Sequence, residues 1–196
     1  MFDALMAWLK SLLKPSPTRS ILSILAIGIA LGIVGLLSFD ASLHATSTEK
    51  FCISCHEMEA NPFAQLKKTS HYNNNSGVRP TCSDCHVPKE FIPKMIRKIQ
   101  ASREVWGTLI GKIDSHEKYV AHTRVMKTRE IARMKANDSQ ECRNCHESER
   151  MILADQSAKA QEYHLAMKNN GKTCIDCHAG IAHPENSDFL TSADNQ

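Results

Sequence analysis

The sequence predicts a mainly α fold with long loops, divided between a single lipid-spanning helix and an external domain whose core is not built from side chains. Three observations carry this. Ile21 to Phe39 runs nineteen residues without a charge. The 196-residue chain is only 6% aromatic, so a conventional core would be thin for one ordinary domain. All eight cysteines fall in four Cys-x-x-Cys-His stretches, beginning at Cys52, Cys82, Cys142 and Cys174.

That motif is the attachment signature of a c-type haem. Cys52 and Cys55, Cys82 and Cys85, Cys142 and Cys145, and Cys174 and Cys177 would form thioethers to porphyrin vinyls. His56, His86, His146 and His178 would then sit under the irons as proximal ligands. Zinc sites built from Cys-x-x-Cys halves do not require a histidine after every second cysteine, and plain disulfides require none. Four copies therefore predict four haems, and these large apolar groups would replace the missing core. Short helices and irregular loops wrapped around haem are expected.

The uncharged run is long enough for about 28 Å of helix, a bilayer span. Lys10, Lys14 and Arg19 precede it, so the positive-inside rule predicts a cytoplasmic amino terminus and a periplasmic haem domain on the cell inner membrane. Residues 1–20 form a cytoplasmic or interfacial lead, 21–39 the single-pass anchor and 40–196 the external domain. A cleaved signal peptide is the alternative, with Ala41-Ser42 or Ala45-Thr46 as the processing site. Gly28 and Gly32 form one small-xxx-small step, which makes a homodimer a candidate state. Met1 to Leu13, with Trp8 and Lys10 ahead of Pro15 and Pro17, reads as a short interfacial helix or a frayed tail.

First cysteines lie 30, 60 and 32 residues apart. This divides the external domain into two two-haem units, 52–86 and 142–183, around an insert at 87–135. Motifs two and four share Asp before the second cysteine, so the pairs read as a duplication. His71 precedes Cys82 by 11 residues and His164 precedes Cys174 by 10, each beside a tyrosine. These two and His183 are the candidates for the second axial position, while His44, His116 and His122 read as ordinary surface histidines. One haem is left without a firm sixth ligand. Met58, two residues after His56, is a thioether donor for that first haem, or a gap-filling core residue.

The insert holds twelve Lys or Arg against five Asp or Glu. From Pro93, a start residue, Met95, Ile96, Ile99, Ser102, Val105, Trp106, Leu109 and Ile110 follow a helical stripe closing at Gly111. Such a helix suits a membrane interface, or covers haem edge while its cations pair with propionates. Further helices are expected over 117–136 and 156–169, the latter stopped by Gly171. The acidic tail after Pro184 reads as disordered.

The chain resembles the NapC/NirT family of membrane-anchored tetrahaem cytochromes, and within it most closely the NapC branch. The resemblance is carried by the anchor, by His71 to Arg79, by Asp84-Cys85-His86-Val87-Pro88, by Ser139 to His146 and by Thr173 to His183. It implies a quinol dehydrogenase that passes electrons to a soluble periplasmic reductase. It further implies that His71 pairs with His178, His183 with His86 and His164 with His146, and that either His56 or Met58 ligates the first haem. Family quinol sites use a lysine and an acid after motif two, which Lys98 and Glu104 match by position. Six residues of regular helix set that pair about 120° apart, so Asp114 is the second choice of acid. Quinol oxidation sheds two protons, hence the need for a proton-accepting carboxylate and a donor to the quinone oxygen.

The expected function is a membrane-bound oxidoreductase. It takes electrons from menaquinol or ubiquinol and delivers them through four haems to a terminal reductase, nitrate reductase or its dihaem subunit in the first instance. Nitrite reductase is the alternative recipient. A relay subunit without its own quinol site is a rival, and so is a multihaem reductase of small nitrogen or sulfur compounds. No nucleic-acid partner is expected.

Overall fold

The computed structural model describes residues 4–7 and 20–184. Apart from a helical turn at 4–7, the predicted lead helix lies outside the described residues, as do Lys10, Lys14, Arg19 and the tail after Pro184. The chain divides into two compact units, Met1–Ala45 and Thr46–Gln196.

In the first unit, helix α1 spans Ile21–Ala45. Ser20 opens it, its hydroxyl accepting from the Ser23 amide at 3.2 Å. None of its apolar stretch is buried by protein, as expected of a helix that is apolar on every side and meets lipid. Its 25 residues measure about 37 Å, more than the hydrocarbon core of roughly 30 Å. The predicted anchor ended at Phe39, and the helix instead continues to Ala45. Hydropathy marks where the lipid ends, not where the helix does. Past Phe39 no Gly or Pro intervenes, Ser42 Oγ donates back to the Phe39 carbonyl at 2.7 Å, and Asp40 lies 3.7 Å from His44 one turn on.

The second unit is helical and irregular, with no strand among the described residues. Two long helices, α2 (Phe91–Leu109) and α3 (His116–Ala136), fill the insert between the motif pairs. Pro93 sits in the first turn of α2, where amides have no helical partner to lose. At the far end Gly111 takes φ +72°, and the Lys112 amide bonds the Gly107 carbonyl at 2.8 Å, closing the helix. Ser115 caps α3 by accepting from the Lys118 amide at 3.3 Å. A shorter helix, α4 (Ala158–Asn170), carries His164 and ends at Gly171 in the left-handed region.

Buried apolar side chains among the described residues are few: Phe63, Leu66, Ile113, Tyr119, Met134 and Ile175. At about 1.5–3 kcal/mol each, they are a small driving force for a unit of this length. The low aromatic content anticipated this shortage.

Candidate functional site

The four motifs adopt two local structures, and these alternate along the chain. In motifs two and four the whole sequence Cys-x-Asp-Cys-His is one helical turn, Cys82–His86 and Cys174–His178. Each is opened by a capping box: Asp84 accepts from the Thr81 amide at 2.7 Å and Asp176 from the Thr173 amide at 2.8 Å. In motifs one and three the first cysteine lies in a short helix that enters the motif, Glu49–Cys52 and Gln140–Arg143. The second cysteine and histidine follow outside it. Thr-Cys-x-Asp-Cys-His therefore specifies one geometry, and motifs one and three, which lack that Thr and Asp, take another.

Successive motifs adjoin. Cys52 and Cys82 share a hydrogen bond that draws the Cys52 thiol down to about 7 and pushes Cys82 far up. Burial, then the Cys142 thiol, pushes Cys85 up to about 11. Burial, then Cys174, raises Cys142. Motif one thus borders two, two borders three, and three borders four. Ser139, fully buried at φ +52°, ties the last pair by accepting from the Ile175 amide at 3.2 Å.

The histidines meet in pairs. Ring centres lie 6.1 Å apart for His71 and His146, 6.2 Å for His86 and His183, and 6.2 Å for His164 and His178. Two imidazoles on one iron, each bonded at about 2 Å with its ring centre about 1.1 Å behind the nitrogen, would stand roughly 6.2 Å apart. The spacing therefore fits iron between the rings of each pair, one partner coming from a motif and one from outside it. Two pairings differ from those the family resemblance implied: His71 faces His146, not His178, and His164 faces His178, not His146. The turn at Gly171 leaves only Lys172 and Thr173 before the motif-four helix, and His164 meets the histidine of that neighbouring turn.

Burial acts on two of these imidazoles, and hydrogen bonds orient two others. Burial brings His183 down to about 4, and burial followed by His146 lowers His71. His164 Nδ1 donates to Gln156 Oε1 at 2.6 Å, and His86 Nδ1 to Glu130 Oε1 at 2.8 Å, leaving Nε2 of each for iron. The Glu130 carboxylate is held well below its usual range by His86 and Arg133, against its own burial. Arg133 bonds Glu130 at 2.8 Å and Glu141 at 2.6 Å, so one chain of charges backs motif two and reaches motif three. Nδ1 of His71 and of His183 is buried without a hydrogen bond, and the Pro62 carbonyl lies near the latter outside bonding geometry. Glu130 and Gln156 were missed by sequence reasoning. The capping boxes were readable as Thr-x-x-Asp, whereas nothing in the sequence joins Glu130 to a histidine 44 residues away.

Around motif one the arrangement differs. His56 is exposed, with Nε2 2.9 Å from the buried but unaligned carboxylate of Glu57. Met58 is half-buried and leads into a π-helical turn, Glu59–Phe63, a feature common at functional sites. Within it Asn61 accepts from His116 Nδ1 at 2.6 Å, giving that histidine a contact the sequence had not suggested. Lys98 on α2 donates to the Thr46 carbonyl at 2.8 Å and its hydroxyl at 2.7 Å, and lies close enough to stabilise a Cys52 thiolate. Burial lowers the pKa of Lys98. Asp114 bonds Lys118 at 2.6 Å and lies within electrostatic reach of His56. Glu104 is turned to guanidiniums, Arg129 at 3.3 Å and Arg97 at 3.6 Å. Lys98 lies near Cys52, Asp114 is within longer electrostatic reach of His56, and Glu104 joins the arginine network.

The model of the NapC/NirT cytochrome c family, N-terminal region, matches residues 14–188. The denitrification system component NirT of Stutzerimonas stutzeri is 49% identical over 170 residues, covering 87% of this chain and 85% of its own. The cytochrome c-type protein NapC of Escherichia coli K12 is 49% identical over 169 residues, 86% of this chain and 84% of its own. A putative tetraheme cytochrome c of Allochromatium vinosum is 44% identical over 165 residues, covering 83% and 89%. No solved structure matches. Cys-x-x-Cys-His turns, imidazole pairs spaced for iron and one lipid-compatible helix are the furniture of a membrane-anchored electron-transfer cytochrome c, and the chain belongs to the NapC/NirT cytochrome c family.

Proposed function

We propose that this chain is a single-pass quinol dehydrogenase of the cell inner membrane, oxidising menaquinol or ubiquinol outside it and passing electrons through four c-type haems to a periplasmic reductase. The observation that carries the reading is Lys98: a partly buried ammonium beside the first attachment motif, bonded to Thr46, the residue that directly follows the lipid-spanning helix. Bound haems would supply one-electron iron couples held within the protein. Each attachment pair would hold one: Cys52 and Cys55, Cys82 and Cys85, Cys142 and Cys145, Cys174 and Cys177. The iron ligands would be His86 with His183, His146 with His71, and His178 with His164, and His56 or Met58 for the first site.

Quinol gives up two protons with its two electrons, so the chain must orient an oxygen and remove protons. Lys98 Nζ is placed to donate to a quinol oxygen. Asp114 Oδ is the favoured proton acceptor, since it lies within electrostatic reach of His56 while Glu104 is occupied by Arg129 and Arg97. Lys118, bonded to both Asp114 and the Gly111 carbonyl, keeps that carboxylate ionised and in place.

Nitrate reductase or its dihaem subunit is the first-choice recipient on the chain's resemblance to the NapC branch, and nitrite reductase is the second. Adding a quinol analogue to the purified full chain in detergent tests the activity. Haem reduction without any accessory subunit is expected, and haems that stay oxidised would leave only the relay reading. Asp114→Asn should slow quinol oxidation at least tenfold while dithionite still reduces every haem. If Glu104→Gln does so instead, the acid is misassigned.

A further inference from the structure

We propose that the outward face of α2 lies in the headgroup region of a phospholipid bilayer, forming a second lipid contact in addition to the spanning helix. The helix is inside out for a water-soluble protein. Ile92, Ile96, Ile99, Trp106, Leu109 and Ile110 are between 52% and 73% exposed. Lys94, Arg97, Lys98, Ala101, Glu104 and Thr108, one helical stripe, are the half-buried side.

The polar side is fixed where it is. Arg97 reaches Glu104 at 3.6 Å and Glu130 at 3.8 Å, Glu104 reaches Arg129 at 3.3 Å, and Lys98 is bonded to Thr46. Turning the apolar face inward would strand these charges. The first attachment motif lies toward the polar side, where Lys98 bonds Thr46, six residues ahead of Cys52.

Lipid is the occupant the surroundings supply. Thr46, held by Lys98, immediately follows Ala45, the last residue of the spanning helix. Exposed Lys89 and Lys112 flank the two ends of α2 and Arg103 lies within the face, against one exposed acid, Glu90. An apolar, Trp-bearing face rimmed by cations matches acyl boundary and anionic headgroups together. This inference stands whether or not quinol is the electron donor.

The test uses the full, haem-loaded chain in nanodiscs of mixed zwitterionic and anionic phospholipid. Ile99→p-benzoylphenylalanine and Leu109→p-benzoylphenylalanine are irradiated beside the same substitution at exposed Arg124, and adducts are read by mass spectrometry. Phospholipid adducts at 99 and 109, with background at 124 and unchanged haem content, are expected. Adducts to a second copy or to the chain itself, or none above background, would overturn the proposal. Should a variant lose haem, Trp106→p-benzoylphenylalanine reports the same face with an aromatic already in place.

Discussion

Glu130 shows how much a single side chain adds to an attachment motif. Its carboxylate accepts a hydrogen bond from Nδ1 of His86, which would make the imidazole a more electron-rich ligand and would favour the oxidised state of a bound haem iron. Glu130→Gln keeps the shape and removes the charge, so the midpoint potential of one haem should rise while the others hold, with haem content unchanged. A potentiometric titration followed by electron paramagnetic resonance separates the four couples. His164 makes a sharper prediction. His164→Ala should leave every haem attached and turn one high-spin, and Gln156→Ala should leave it low-spin with shifted g-values, since Gln156 only orients the ring. An unchanged spectrum in the His164 variant would remove it from the ligand set.

At the scale of elements, the attachment turns depend on capping. The motif-four turn is five residues long, too short to persist by propensity, and Thr173 with Asp176 satisfies its first amides. Thr173→Ala should cost about 1 kcal/mol of local stability. The measurable result would be a lower yield of haem at Cys174 and Cys177, seen by peptide mass. The turn between the two long helices offers a second test. Gly111 has φ +72°, and a Cβ there would stand 3.0 Å from Asp114 Oδ2. Gly111→Ala should therefore cost roughly 1 kcal/mol in backbone strain and displace the candidate acid, slowing quinol oxidation more than it changes stability.

For the whole molecule, the thin side-chain core means that the external unit depends on what its cysteines bind. Cys174→Ser with Cys177→Ser removes one attachment, and with Ile175 the one large apolar residue buried on that turn, little else could hold it. The external unit of this variant should be cut by protease under conditions that leave the parent intact. Equal resistance would mean that the fold is carried by the protein alone.

The sequence by itself determined which cysteines lie in haem-attachment motifs, which segment is apolar enough for lipid, which helices fill the basic insert and which histidines stand outside the motifs. These are local facts, set by residue type and spacing within a few turns. Helix α1 overran its predicted end because hydropathy does not see backbone hydrogen bonding. Only the tertiary structure decided which histidine faces which, that Glu104 is taken up by Arg129 and Arg97, and that Glu130 stands behind His86. Each of these joins segments far apart in the chain, where the outcome depends on how helices pack and which charges are satisfied. Periodicity of apolar residues likewise announced an amphipathic α2 without saying which side would turn outward. The ion pairs of Arg97 and Glu104 and the hydrogen bonds of Lys98 to Thr46 settled that, because a partly buried charge must be satisfied and an exposed isoleucine need not be.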